Sequence, residues 1–225
     1  MITGKEQFVA RVSSCLNRTK VPEHPTELVR PHQMQKNYLA GAPHRELIET
    51  FIANSHALGI DVHRCPVNDL TATLIQVIGE IDGPVILAND PLLTGKTAEI
   101  LGREAGDCHV WDLGESRETN MNRAERAKVG IAVAELGLAE TGSTLLFSHL
   151  DSGRSITLLP ENSIIIVRAE SIKPRLTQAM ELLQRTEILP SSVNFISGPS
   201  ATADIELVRV QGVHGPLELI YIIVD

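Results

Sequence analysis

Aromatic residues make up only 3% of this 225-residue chain, so its core has to be built from Leu, Ile, Val and Ala. A core of that kind suits a parallel sheet buried on both faces. Three cysteines, Cys15, Cys65 and Cys108, stand far apart, and none forms a CxxC pair. Disulfide frameworks, zinc sites and iron–sulfur clusters need grouped thiolates, so three buried, inert thiols are expected, with no metal and no cofactor. Positive charge is also short. The formal net charge is −8, and no Lys/Arg stripe alternates with aromatics, which argues against nucleic acid as a partner. No apolar run reaches the ~20 residues of a membrane span. The first twenty residues have no signal-type apolar stretch, so the chain reads as cytoplasmic.

Several nucleotide and hydrolase fingerprints are missing too. Thr94–Thr97 reads TGKT, but a P-loop requires glycine where Asp90 stands. There is no GxGxxG after a strand, no HExxH and no GxSxG.

What is present is an α/β rhythm. A helix is expected over about residues 3–17, with Phe8, Val9, Val12 and Leu16 on one face, suited to loose docking or to a partner. A polar arm marked by Pro22, Pro25 and Pro31 follows. From Pro43 onward, helical spacing (HRELIETFIANSHALG, DLTATLIQVIGEI, PLLTGKTAEILGREAG) alternates with short apolar runs (IDVHRC, PVILAND, DCHVWDLG). Such βαβ units imply a parallel sheet between helices. A second block is expected to hold a helix at 122–128 and strands VGIAVAE and GSTLLFSH around a turn at Gly137–Ala139. Strand SIIIVRAES, a helix from Lys173, and strands SVNFIS and LELIYIIV complete it. Strands without an intervening helix point to antiparallel additions to the main sheet. The organisation expected is an arm over residues 1–40 and one α/β domain over 41–225.

Three constellations carry possible chemistry. In Glu140-Thr141-Gly142-Ser143-Thr144, a glycine lets the backbone approach a ligand, and hydroxyls beside consecutive N–H groups form an anion nest. Glu140 is its carboxylate, a candidate base or nucleophile, against the plainer reading of a tight turn. Arg154 lies beside a glycine turn and two serines (Ser152-Gly153-Arg154-Ser155), placed to clamp a carboxylate or phosphate, or simply to face solvent. The chain end carries Gly198, Pro199 and Ser200, then Asp204, Glu206 and Arg209, then His214-Gly215-Pro216. His214 stands out among eight histidines because Gly215 and Pro216 fix the backbone beside it.

The segments VGIAVAELGLAETGSTLL, RSITLLP and ISGPSATADIELVRVQGVHGP together resemble the LUD-domain family over about residues 40–225. The resemblance implies a NagB/RpiA/CoA-transferase-like fold: a mainly parallel sheet flanked by helices, with a small additional antiparallel portion. It implies a role beside two iron–sulfur partner proteins in cytoplasmic oxidation of L-lactate to pyruvate. This chain would then be a non-redox accessory subunit binding a small organic anion or phosphate-bearing ligand. By the same resemblance, Glu140 and His214 are the candidate catalytic residues. Thr141, Gly142, Ser143, Thr144, Arg154, Gly198, Ser200, Asp204 and Glu206 are the candidate ligand contacts. Sugar-phosphate isomerases of similar fold cradle phosphate on a TGST-like loop, and CoA transferases use a glutamate near a glycine as nucleophile. A stand-alone isomerase or acyl-transfer enzyme is therefore the alternative. One departure is Ala201, where many relatives carry arginine after GPS; if that arginine reads an anion, this chain must use Arg154 or Arg209, or bind differently.

Overall fold

The computed structural model describes residues 4–18, 34–79, 81, 83–150, 152–188, 190–202 and 210–225. The chain divides into two compact units, Met1–Met34 and Gln35–Asp225. In the first, helix α1 (Lys5–Cys15) buries none of its residues, and Phe8 and Val12 are exposed. Most of the proline-marked arm lies outside the described residues.

A short helix α2 covers Met34–Asn37. Helix α3 (His44–Ala57) follows Pro43, which takes the N-cap position, and its Leu47, Ile48 and Phe51 are buried at helical spacing. Gly59, at φ 79°, turns the chain into strand β1 (Asp61–Cys65). Then come α4 (Leu70–Ile78), β2 (Val85–Leu87), α5 (Lys96–Glu104), β3 (Cys108–Val110) and α6 (Arg117–Arg126). Helix α6 begins five residues before the expected start, because the Ser116 hydroxyl caps it by accepting from the Thr119 N–H at 3.0 Å. Helix α5 begins later than expected. Asp90 instead accepts from the Leu92 N–H at 2.8 Å and holds residues 90–92 in a turn.

The second half contains β4 (Val129–Val133), β5 (Leu136–Leu138), β6 (Ser143–Ser148), α7 (Ser155–Leu158), β7 (Asn162–Arg168) and β8 (Ile172–Lys173). It ends with α8 (Leu176–Arg185), β9 (Ser192–Ile196), β10 (Ala201–Thr202), β11 (Val210–Gln211) and β12 (Glu218–Val224). Leu136–Leu138 is a strand where a turn was expected, and the hairpin turn falls instead at Ala139–Gly142.

Six strands form a wholly parallel sheet in the order β1-β12-β7-β4-β2-β3. Strand β12, the last in the chain, lies inside it between β1 and β7. Both β7 and β12 carry unbroken buried runs, as a sheet covered on both faces requires. Phe51 of α3 stacks on Tyr221 of β12 with ring centroids 5.5 Å apart. The remaining strands are not additions to this sheet. Strands β8-β5-β6-β9 make a separate four-stranded sheet, antiparallel at β5–β6 and β6–β9, and β10 pairs with β11. The β4–β5 link is too short for a crossover helix, so β5 leaves the parallel sheet and pairs back with β6. The fold is therefore α/β with a mainly parallel sheet and smaller, largely antiparallel ones.

Candidate functional site

The β5–β6 hairpin is clamped on several sides. Gly142 adopts φ +60°, and a Cβ there would lie 2.6 Å from the Ser55 nitrogen and 2.7 Å from the Asn54 carbonyl carbon, so only glycine fits. The Asn54 amide of α3 donates to the carbonyls of Ala139 and Glu140 at 2.7 and 3.1 Å. The Glu140 N–H donates to the Pro174 carbonyl at 2.9 Å, and its carboxylate accepts from Arg175 Nε at 2.8 Å. Arg175 in turn lies over the Tyr38 ring, 5.6 Å from its centroid. Thr141 is exposed at the tip.

The buried hydroxyls after the tip tie sheets together. Ser143 and Ser197 share a hydrogen bond of 2.7 Å between β6 and the end of β9. Thr144 Oγ1 lies 3.4 Å from the Tyr221 hydroxyl, which also donates to the Ile196 carbonyl at 3.3 Å. Burial drives the Tyr221 hydroxyl well above the ordinary phenol range.

Gly198, Ser200 and His214 converge on a cavity of about 240 Å³ at the amino ends of β7 and β12. Ser163, Thr157, Leu219, Pro199 and Pro216 are its buried lining residues, and the exposed Phe195 also lines it. His214 is exposed. A Cβ on Gly215 would lie 3.2 Å from Ser200 Cβ, so the turn passes closely over that serine. The backbone holds the two segments together: the Ser200 N–H donates to the Pro216 carbonyl at 3.0 Å, and the Gly212 N–H to the Ser200 carbonyl at 2.8 Å.

Ser163 was absent from the expected site. Its hydroxyl is buried without a hydrogen-bond partner, the single such side-chain atom among the described residues. An unpaired buried polar group costs about 1–3 kcal/mol. A serine opening an otherwise apolar strand run, SIIIV, is the one sequence signal that could have marked it.

The other expected residues fall elsewhere. Glu140, Thr141, Gly142, Ser143 and Thr144 do not line this cavity, although Ser143 touches Ser197, which does. Arg154 is exposed just before α7 and is not part of the lining, while the neighbouring Gly153 packs on Trp111. Asp204, Glu206 and Arg209 lie outside the described residues. Among the described lining residues there is no carboxylate, lysine or arginine. The lining offers hydroxyls, an imidazole and glycine backbone against apolar walls.

A second, more open cleft of about 820 Å³ lies outside the carboxyl ends of β1, β12 and β7 and was also missed. Arg64 donates to both oxygens of Asp225 at 2.7 Å, which holds that carboxyl below and the guanidinium above their usual ranges. Arg168 faces Asp90 at 3.4 Å, and the His44 ring is 2.8 Å from the Ala169 carbonyl. These residues are scattered through the chain, and only strand order brings them together. Among the described residues no three His, Cys, Asp or Glu side chains are grouped to hold a metal ion. No described helix is long and apolar enough to cross a membrane. The thiols differ from expectation in one respect: Cys65 is buried and Cys108 half-buried, but Cys15 is exposed.

The class this defines is an α/β protein whose C-terminal loops enclose a small cavity at the amino edge of a parallel sheet. The chain belongs to the LUD domain family, whose profile matches residues 48–224. It is 35% identical to lactate utilization protein C of Macrococcus caseolyticus over 229 residues, covering 100% of this chain and 97% of that protein. It is also 35% identical to lactate utilization protein C of Bacillus subtilis over 242 residues, covering 100% and 97%. The uncharacterized protein YkgG of Escherichia coli is 45% identical over 150 residues, 64% of each chain. In fold it is similar to a crystal structure of a DUF162 family protein from Deinococcus radiodurans, with a TM-score of 0.61 and 20% identity, covering 81% of this chain and 99% of that one.

Proposed function

We propose that this chain is a component of a lactate utilization system. It acts in the cytoplasm with two iron–sulfur partner proteins, as a non-redox subunit that binds a small ligand in the His214 cavity. Full-length similarity to proteins named lactate utilization protein C supports the system. The observation that carries the ligand-binding role is the convergence of Gly198, Ser200 and His214 with the unpartnered Ser163 on one small cavity. His214 contacts the ligand from the mouth. Residues 1–40 serve as an arm, and 41–225 as the LUD domain.

Glu140 in this reading is a positioning residue, because Arg175 already engages its carboxylate and Asn54 its carbonyl. That arrangement favours the accessory subunit over an isomerase or acyl-transfer enzyme with Glu140 as base. The test is growth on L-lactate of a strain lacking this gene, complemented by the wild type or by His214→Asn, together with co-purification of tagged protein. Loss of growth, restored by the wild type and not by His214→Asn, and recovery of two iron–sulfur proteins are the expected results. Normal growth of the deletion strain would overturn the proposal.

A further inference from the structure

Strand register explains why Ser163 has no partner. Its two neighbours across the sheet are Gly130 of β4 and Leu219 of β12, one without a side chain and the other apolar. Gly130 is not replaceable, since a Cβ there would lie 1.7 Å from the Ile156 carbonyl oxygen. The nearby Thr157 hydroxyl already donates to the Arg154 carbonyl at 3.3 Å. The hydroxyl of a residue only 1% exposed is thus left in the lining of the His214 cavity with nothing in the described chain to meet it.

We infer that Ser163 is the specificity-determining residue of this cavity, reading an oxygen substituent on a short-chain organic acid whose carboxylate lies at His214. This rests on the reading of the cavity as a ligand site and names the class of ligand it takes. Three features select that class. A volume of about 240 Å³ is below the roughly 300–1,000 Å³ of drug-sized sites, so the ligand is small. The described lining has no carboxylate to attract a cation, while the exposed His214 ring supplies an N–H donor at the mouth. The walls from Leu158, Phe195 and Leu219 suit a short carbon skeleton between the two polar ends. A serine hydroxyl both donates and accepts, so 2-hydroxy and 2-oxo acids satisfy it, and an acid with only hydrogens at that carbon does not.

The experiment is calorimetric titration of the full-length protein with L-lactate, pyruvate and propionate. Lactate and pyruvate bind, and propionate binds about tenfold more weakly, the worth of one hydrogen bond to a buried polar group. Ser163→Ala weakens lactate and pyruvate about tenfold, leaves propionate unchanged, and unfolds at the same or a higher midpoint when ligand-free. His214→Asn weakens all three acids alike. Equal binding of the three acids to the wild type, or unchanged lactate binding in a folded Ser163→Ala variant, overturns the assignment of Ser163 while leaving the cavity a ligand site. Absence of binding by all three removes the ligand class as well. Growth on L-lactate tests the system separately, so the two failures are distinguishable.

Discussion

The Glu140 carboxylate and Arg175 Nε lie 2.8 Å apart, joining the tip of the β5–β6 hairpin to the residue that begins α8. Each side chain is about one-quarter exposed, so the pair lies between a solvated surface bridge and a buried one. Glu140→Gln is expected to lower stability by about 1–2 kcal/mol in urea denaturation. In a double-mutant cycle with Arg175→Ala, the two losses should fall short of additive by roughly 1 kcal/mol. Strict additivity would mean that the pair contributes nothing.

Gly142→Ala strains the same hairpin from the other side. The new methyl meets the Asn54–Ser55 backbone at under 3 Å, and the residue is held at a left-handed φ. Backbone cannot yield as a flexible side chain does, so a loss of about 3 kcal/mol or more is expected. Soluble yield and thermal midpoint measure it, with Gly41→Ala as a control for the left-handed φ alone, since Gly41 is at φ +78° with nothing within 4 Å of its Cβ position, so the excess loss at Gly142 reads the clash.

The cysteines should differ sharply toward alkylation. Cys15 is exposed, Cys65 is buried, and burial pushes the Cys108 thiol up to about 11 from an ordinary 9.0. The thiolate is the reactive form, so at pH 8 iodoacetamide should label Cys15 well before the other two. Peptide mapping over a time course reads the order. Simultaneous labelling of all three in folded protein would contradict the burial described.

Stability should fall on the alkaline side. Burial raises the folded-state pKa of both the Cys108 thiol and the Tyr221 phenol, so the fold favours their protonated forms. Their contribution is complete below the ordinary values of 9.0 and 10.0. For Cys108 it is lost as pH rises through about 11, and for Tyr221 at higher pH still. The unfolding midpoint is expected to change little from pH 7 to 9 on their account and to drop above that. Tyr221→Phe should flatten the upper part of the drop.

The parallel sheet was legible because its strands are short runs of Ile, Leu and Val between helices with clear apolar faces, as in SIIIVR and LELIYIIV. The separate second sheet was not, since local pattern cannot say whether β5 and β6 join the main sheet or leave it. The convergence of Gly198, Ser200 and His214 was foreshadowed by their turn chemistry. Ser163 escaped notice because its isolation is a product of register: only the alignment of β7 with Gly130 and Leu219 leaves the hydroxyl unmatched. Arg168 and Asp225 escaped for a similar reason, since β7, which bears Arg168, and β12, which Asp225 follows, meet only once the sheet is assembled.

The place of β12 bears on how the protein is made. A ribosome releases the chain from its N-terminus, yet the strand that bridges β1 and β7 is the final seven-residue element before Asp225. Until those residues clear the exit tunnel, β1 has no partner in the sheet, and the apolar edge of β7 stays open to other nascent chains. The parallel sheet therefore cannot close until β12 has emerged, and a chain cut short before Glu218 would carry an unpaired β1 and an open β7 edge, an aggregation-prone sheet.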